Sequence, residues 1–213
     1  MMAMGTTGHQ GSYPIARKPT NGDSMGIELV LKILFYGWMV SEICLGIFTR
    51  TRKGGGKLRD RGSMLILWGT IFASISAAEW ISSQTTRTLL PGAAWLSWTL
   101  IFLMAAGLIV RWTAILSLGN AFSVNVAIRD AQKLNRSGLY RFVRHPSYSG
   151  MMLMFLALGL AQKSWWAFLC LLLPITAALL YRIHVEEIAL NEAFGAEYAS
   201  YTQQTKRLLP GIY

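Results

Sequence analysis

Residues 27–48, 63–81 and 93–116 are apolar runs of the length that a helix needs to cross a bilayer, roughly 20 residues. Lipid offers no hydrogen-bond partners, so each run must pair its backbone internally and is expected to be a helix. Residues 150–161 and 165–181 are apolar again, on either side of the turn Gln162-Lys163-Ser164. They read as a helical hairpin, the shorter arm extending back through Ser147 and Tyr148 to reach the far side. The expected fold class is an all-α integral membrane protein with about five transmembrane helices. The last helix is expected to continue past the bilayer as a cytoplasmic C-terminal extension, because EEIALNEAF keeps Ile188, Leu190 and Phe194 apolar among charged and small residues.

Composition agrees with embedding: 53% of the 213 residues are hydrophobic and 14% charged, where a soluble domain carries about a quarter charged residues. The net charge of +10 then belongs to basic loops beside a membrane rather than to a nucleic-acid surface, and no nucleic-acid or protein partner is expected. Cys44 and Cys170 both fall inside apolar runs, which gives neither a disulfide framework nor a metal site. Residues 1–25 are polar, rich in Gly, Ser, Thr and Pro and without an apolar core, so they read as a disordered tail rather than a signal peptide. The chain divides into this tail, three spans over 26–116, and a segment over 117–213 that holds the chemistry and the last two spans.

Basic residues set the orientation. Loop 49–62 carries six, segment 117–149 five and the tail from Arg182 three, whereas the other side carries four: Arg17, Lys18, Arg87 and Lys163. The positive-inside bias puts the N-terminus outside and the C-terminus in the cytoplasm, in a bacterial inner membrane or in the endoplasmic reticulum of a eukaryote. The glycines at 54–56 lack the strand before and the GK[ST] after that a phosphate loop needs, and read as a membrane-apposed loop. Lys32, Glu42 and Glu79 are intramembrane ionisable residues with no evident partner. Arg111, beside Trp112 near the end of the third run, is placed to snorkel to the interface.

Two polar blocks emerge on the same side. The first, GLYRFVRHPSYSG over 138–150, offers Arg141, Arg144 and His145 to an anionic group. Pro146 turns His145 away from helical geometry, so a helix starts near Ser147 and presents His145 and Tyr148 beside unpaired N–H groups. The second block, YRIHVEEIALNEAFGAEYASY over 181–201, places Arg182, Glu186 and Glu187 directly after the last span. Helical spacing pairs Arg182 with Glu186. Phe194, Tyr198 and Tyr201 recur at helical spacing, as an interfacial packing stripe does.

SGLYRFVRHPSYSG, a hairpin and then YRxxxEExxLxxxFGxEYxxY, preceded by LGNAFSVNV and closed by KRLLPGIY, resembles the isoprenylcysteine carboxyl methyltransferase family. The resemblance implies an integral-membrane enzyme using S-adenosyl-L-methionine on a lipid or prenylated acceptor among membrane lipids. It implies that His145 and Tyr148, with the backbone of Gly138, Leu139 and Tyr140, hold the cofactor. Glu187 matches a glutamate at the cofactor, with Glu186 as a second member, and Arg182 matches an arginine by the methyl-accepting carboxylate. The catalytic pair implied is Arg182 and Glu187. The sequence also leaves open a phospholipid amine or small thiol as acceptor, an NADPH-dependent membrane reductase, and a non-catalytic membrane component. No GxGxxG opens a helix here, unlike in soluble dinucleotide-type folds.

Overall fold

A computed structural model describes residues 21–51, 57–60, 62–85, 94–119, 126–128 and 133–212. Its long elements are the apolar runs. Helix α1 spans Asn21–Thr51, α2 Gly62–Gln84, α3 Ala94–Leu118, α4 Pro146–Ala161 and α5 Trp165–Phe194; a short α6, Ala196–Gln204, follows. Four of them, α1, α2, α3 and α5, are long and apolar enough to cross a membrane, while α4 is the shorter apolar helix of the hairpin. At 1.5 Å per residue its 16 residues reach about 24 Å, less than the roughly 30 Å of a hydrocarbon core. The 30 residues of α5 reach about 45 Å and carry the second polar block beyond the apolar zone. Helix α1 begins at Asn21, inside the expected tail, and residues 1–20 of that tail lie outside the described residues. So do Gly54, Gly55, Gly56 and Arg87.

The bundle is built from two intimate pairs, α3 with α4 and α2 with α5, joined through α4 and α5, while α1 lies against α3. Glycines let α3 and α4 cross backbone to backbone. A Cβ on Gly107 would stand 2.6 Å from the Gly150 carbonyl oxygen, and one on Gly150 would stand 2.5 Å from that of Gly107. Such close approach is how helices associate where lipid removes the hydrophobic drive. Trp38, stacked on Trp68 and edge-on to Phe155, seals α1 to this core. Leu29, Ile33, Val40, Leu65 and Phe72 are exposed on the outside, as lipid-facing residues are.

The hairpin turn has the expected place and an identifiable cause. Lys163 takes φ 56°, and Ser164 caps α5 by accepting from the Ala167 N–H at 3.5 Å. Ser82 Oγ donates to the Gln162 carbonyl at 2.8 Å, which ties the end of α2 to the turn. One departure from an all-helical chain is a two-stranded antiparallel ribbon, β1 Lys57–Asp60 with β2 Val126–Ile128. Both segments are too short, at four and three residues, to announce a strand. They pair because both leave the bundle at one end and satisfy each other's backbone there. The same end holds the start of α4 and the end of α5.

Candidate active site

The site begins with the His-Pro pair. Pro146 is the first residue of α4, and His145 before it is non-helical at φ −124°, ψ 56°, as a pre-proline residue should be. The C-terminal segment runs past this corner and pairs with it. Arg144 N–H donates to the Lys206 carbonyl at 2.7 Å and His145 N–H to that of Arg207 at 3.0 Å. Ser149 Oγ donates to the Leu208 carbonyl at 2.6 Å. Residues 206–208 thereby form a strap fastened across the start of α4, a role that hydropathy could not announce.

Glu186 and Glu187 of α5 both face His145. Its Nδ1 lies 3.8 Å from Glu186 Oε2 and its Nε2 3.5 Å from Glu187 Oε1. The two acids differ in their remaining partners. Glu187 is gripped by two guanidinium groups, Arg144 Nε at 3.0 Å and Arg207 Nη2 at 2.8 Å, and its side chain is 13% exposed. Glu186 accepts from the Tyr148 hydroxyl at 2.9 Å and is 32% exposed, so it is the more open carboxylate. Arg144 also donates to the carbonyls of Thr202 and Thr205. The anionic group that Arg144 meets is Glu187, and its remaining donors serve the end of α6. Arg141 is exposed, its guanidinium 5.2 Å from the centre of the Phe142 ring.

Arg182 is 3% exposed. Its Nε donates to the Tyr148 hydroxyl at 3.3 Å and its Nη1 to Ser63 Oγ at 2.6 Å, which fastens the start of α2 to the site. The pairing read from helical spacing thus runs through a third residue, with Tyr148 Oη bridging Arg182 and Glu186. The Tyr148 ring stacks on His145 with centroids 5.7 Å apart. Gly138 at φ 58° opens the 3-10 turn Gly138–Arg141, a conformation that glycine takes without strain. Tyr140 pins that turn: its hydroxyl donates to the Ala114 carbonyl of α3 at 3.3 Å, and its own carbonyl accepts from the Tyr201 hydroxyl at 2.6 Å. Burial pushes the Tyr201 hydroxyl up to about 12, so it stays a donor. Gly138, Leu139 and Tyr140 are therefore held chiefly by α3 and α6, next to the His145 cluster in sequence.

Two buried polar atoms, His145 Nε2 and Tyr198 Oη, have no hydrogen-bond partner among the described residues. Burial, with Glu187 nearby, pushes the Tyr198 hydroxyl up. His145 Nε2 thus has only the 3.5 Å contact with Glu187, and buried polar groups are almost always satisfied, so a polar ligand could complete both atoms.

The sequence reading missed one network altogether. Arg111 does not snorkel: it is 6% exposed and grips Glu42 of α1 with both Nε and Nη2. Glu42 also accepts from Trp38 Nε1 at 2.9 Å, and Arg111 Nη1 donates to Ser147 Oγ in the first turn of α4 at 2.8 Å. Opposite charges on two spans were the available signal. Lys32 and Glu79 lie exposed on the bundle's outer face.

Comparison with known proteins decides which family carries this arrangement. Residues 99–192 match the family described as the isoprenylcysteine carboxyl methyltransferase (ICMT) family. That segment is similar to the ICMT family. The match runs from α3 to the end of α5, and so takes in Arg111, His145, Tyr148, Arg182 and both glutamates. Protein-S-isoprenylcysteine O-methyltransferase B of Arabidopsis thaliana is 28% identical over 87% of this chain and 92% of its own length. Methanethiol S-methyltransferase 2 of Bradyrhizobium diazoefficiens is 29% identical over 70% of this chain and 56% of its own. The solved structure of the eukaryotic intramembrane Ras methyltransferase ICMT aligns with a TM-score of 0.55 at 26% identity, over 66% of this chain and 52% of that one. The chain thus has a multi-pass membrane fold similar to that of this methyltransferase, and spans about half the length of that solved relative.

Proposed function

We propose that this chain transfers a methyl group from S-adenosyl-L-methionine to a lipidic acceptor, a prenylcysteine-like carboxylate. The observation that carries the reading is the joining of Arg182, Tyr148 and Glu186 in one hydrogen-bonded chain beside His145, where the apolar part of the bundle ends. The residues fit the cofactor. Glu186 is the open carboxylate for an ammonium group, and His145 and Tyr198 Oη supply polar contacts. Tyr148 offers an aromatic face, and Gly138, Leu139 and Tyr140 offer backbone. When bound, S-adenosyl-L-methionine supplies an electrophilic methyl on a positively charged sulfur.

An ionised carboxylate is already a nucleophile, so the protein's task is alignment and exclusion of water rather than proton removal. Arg182 brings positive charge to the side where a carboxylate would arrive and holds Tyr148 in place. Glu187, bound by Arg144 and Arg207, keeps the strap closed over the corner and presents its charge to His145. The acceptor's lipid chain would enter between helices, and the cofactor from the aqueous side. The bias of basic residues supports a cytoplasmic position for that side, with the N-terminus outside.

Likeness to a methanethiol S-methyltransferase supports a second acceptor class, a small thiol. Both readings are tested by supplying membranes with methyl-labelled cofactor and an S-farnesylated cysteine or methanethiol. Label in a base-labile ester supports the first; label in dimethyl sulfide supports the second. Titrating the purified protein with S-adenosylhomocysteine and with NADPH tests the cofactor: binding of NADPH alone would replace both readings with a reductase.

A further inference from the structure

The Glu42–Arg111 pair is a costly feature in a membrane bundle, and the site as described makes no use of it. Both side chains are buried, at 7% and 3% exposure for Arg111 and Glu42, and each charge would be heavily penalised if left alone in an apolar interior. Glu42 is fixed from its own helix by the Trp38 indole N–H. Arg111 is thereby held in one position, with Nη1 pointed at Ser147 Oγ. Ser147 lies between Pro146, where α4 starts, and Tyr148, which bridges Arg182 and Glu186. At the same height α4 rests on the α3 backbone: a Cβ on Gly150 would stand 2.8 Å from the Arg111 nitrogen.

We propose that Arg111, clamped by Glu42, is a positioning residue that sets the first turn of α4 so that His145 and Tyr148 meet the two glutamates. Backbone contact at Gly107 and Gly150 fixes how near α4 lies to α3, but glycines have no side chain to fix rotation about the helix axis. The Arg111–Ser147 bond supplies that constraint. A turn of α4 by one residue's worth, about 100°, would carry Tyr148 off Glu186. Helix α1 thus acts on the site through the Glu42 carboxylate. The inference rests on the reading of His145 and Tyr148 as cofactor-binding residues, and its first readout needs no cofactor.

The test uses the full chain in detergent, as wild type, Ser147→Ala, Arg111→Lys and the paired change Glu42→Leu with Arg111→Leu. Amide hydrogen exchange is followed without ligand for the α4 residues that follow Pro146, up to Gly150, together with the thermal midpoint; S-adenosylhomocysteine affinity is measured next. Ser147→Ala leaves the buried pair intact, so the midpoint is expected to hold. Exchange over 147–150 should quicken and affinity fall about tenfold, the worth of one hydrogen bond to a charged group. Arg111→Lys keeps the charge but loses the fork, and should do the same. The paired neutral change removes the buried charges together; it should recover the midpoint without recovering affinity. Unchanged exchange in Ser147→Ala and Arg111→Lys overturns the proposal, as does affinity that returns with stability in the paired variant. Faster exchange in a protein whose wild type binds no S-adenosylhomocysteine would uphold the positioning role and discard the cofactor reading alone.

Discussion

The Tyr148 hydroxyl donates to Glu186 at 2.9 Å while the Arg182 guanidinium donates to it at 3.3 Å. One oxygen therefore joins an arginine and a glutamate that lie on the same helix, one turn apart. Both hydrogen bonds involve a charged group, the stronger kind.

Tyr148→Phe removes that oxygen and keeps the ring that stacks on His145. Affinity for S-adenosylhomocysteine, followed by calorimetry, should fall about tenfold, as expected for loss of a hydrogen bond to a charged group. The thermal midpoint should move little, because the ring's packing survives. Equal affinity in the variant would take the hydroxyl out of the site.

Glu186 and Glu187 should fail differently. Glu187→Ala strands the Arg144 and Arg207 guanidinium groups beside a mostly buried position, and should cost about 3 kcal/mol of stability. The strap should loosen, so trypsin should cut after Lys206 and Arg207 faster than in wild type. Glu186→Gln removes one charge from a more open position. It should weaken S-adenosylhomocysteine binding and leave both the strap and the midpoint in place.

Much of this was legible in the chain. Hydropathy reports where helices run, because lipid leaves no other way to pair a backbone, and the turn at 162–164 announces its hairpin through polarity alone. The motif blocks named His145, Tyr148, Arg182, Glu186 and Glu187, which the fold gathers at one corner. What escaped were pairings between distant segments that hydropathy and helical spacing do not encode. Arg207 reaching Glu187, Arg111 reaching Glu42 and β1 meeting β2 are of this kind. Arg111 was misread because an arginine near a helix end has a cheap escape to the interface, and only the facing Glu42 removes the need for it.

Gly150→Ala tests the close crossing of α3 and α4. The new methyl would meet the Gly107 carbonyl at 2.5 Å and Arg111 N at 2.8 Å, both backbone atoms that cannot swing aside. Separating the helices should cost about 1–3 kcal/mol, read as a lower thermal midpoint in detergent. A variant as stable as wild type would mean that the helices do not cross this closely.

Orientation is open to cysteine labelling at Lys57 and Arg87. Lys57 lies in β1, at the end of the bundle that holds α4's start, and Arg87 follows Gln84 at the end of α2 tied to the α4–α5 turn. A membrane-impermeant reagent applied from outside should label a cysteine at 87 and spare one at 57. The reverse pattern would invert the positive-inside reading.

Delivery of a methyl group to a carboxylate beside Arg182 is tested by Arg182→Lys. The label-transfer rate to an S-farnesylated cysteine is measured alongside S-adenosylhomocysteine affinity in the same preparation. The account predicts that wild type forms the labelled methyl ester. In Arg182→Lys, loss of the guanidinium fork should lower transfer at least about tenfold while affinity changes much less. Transfer and affinity both equal to wild type, or a wild type that labels no carboxylate, would contradict it.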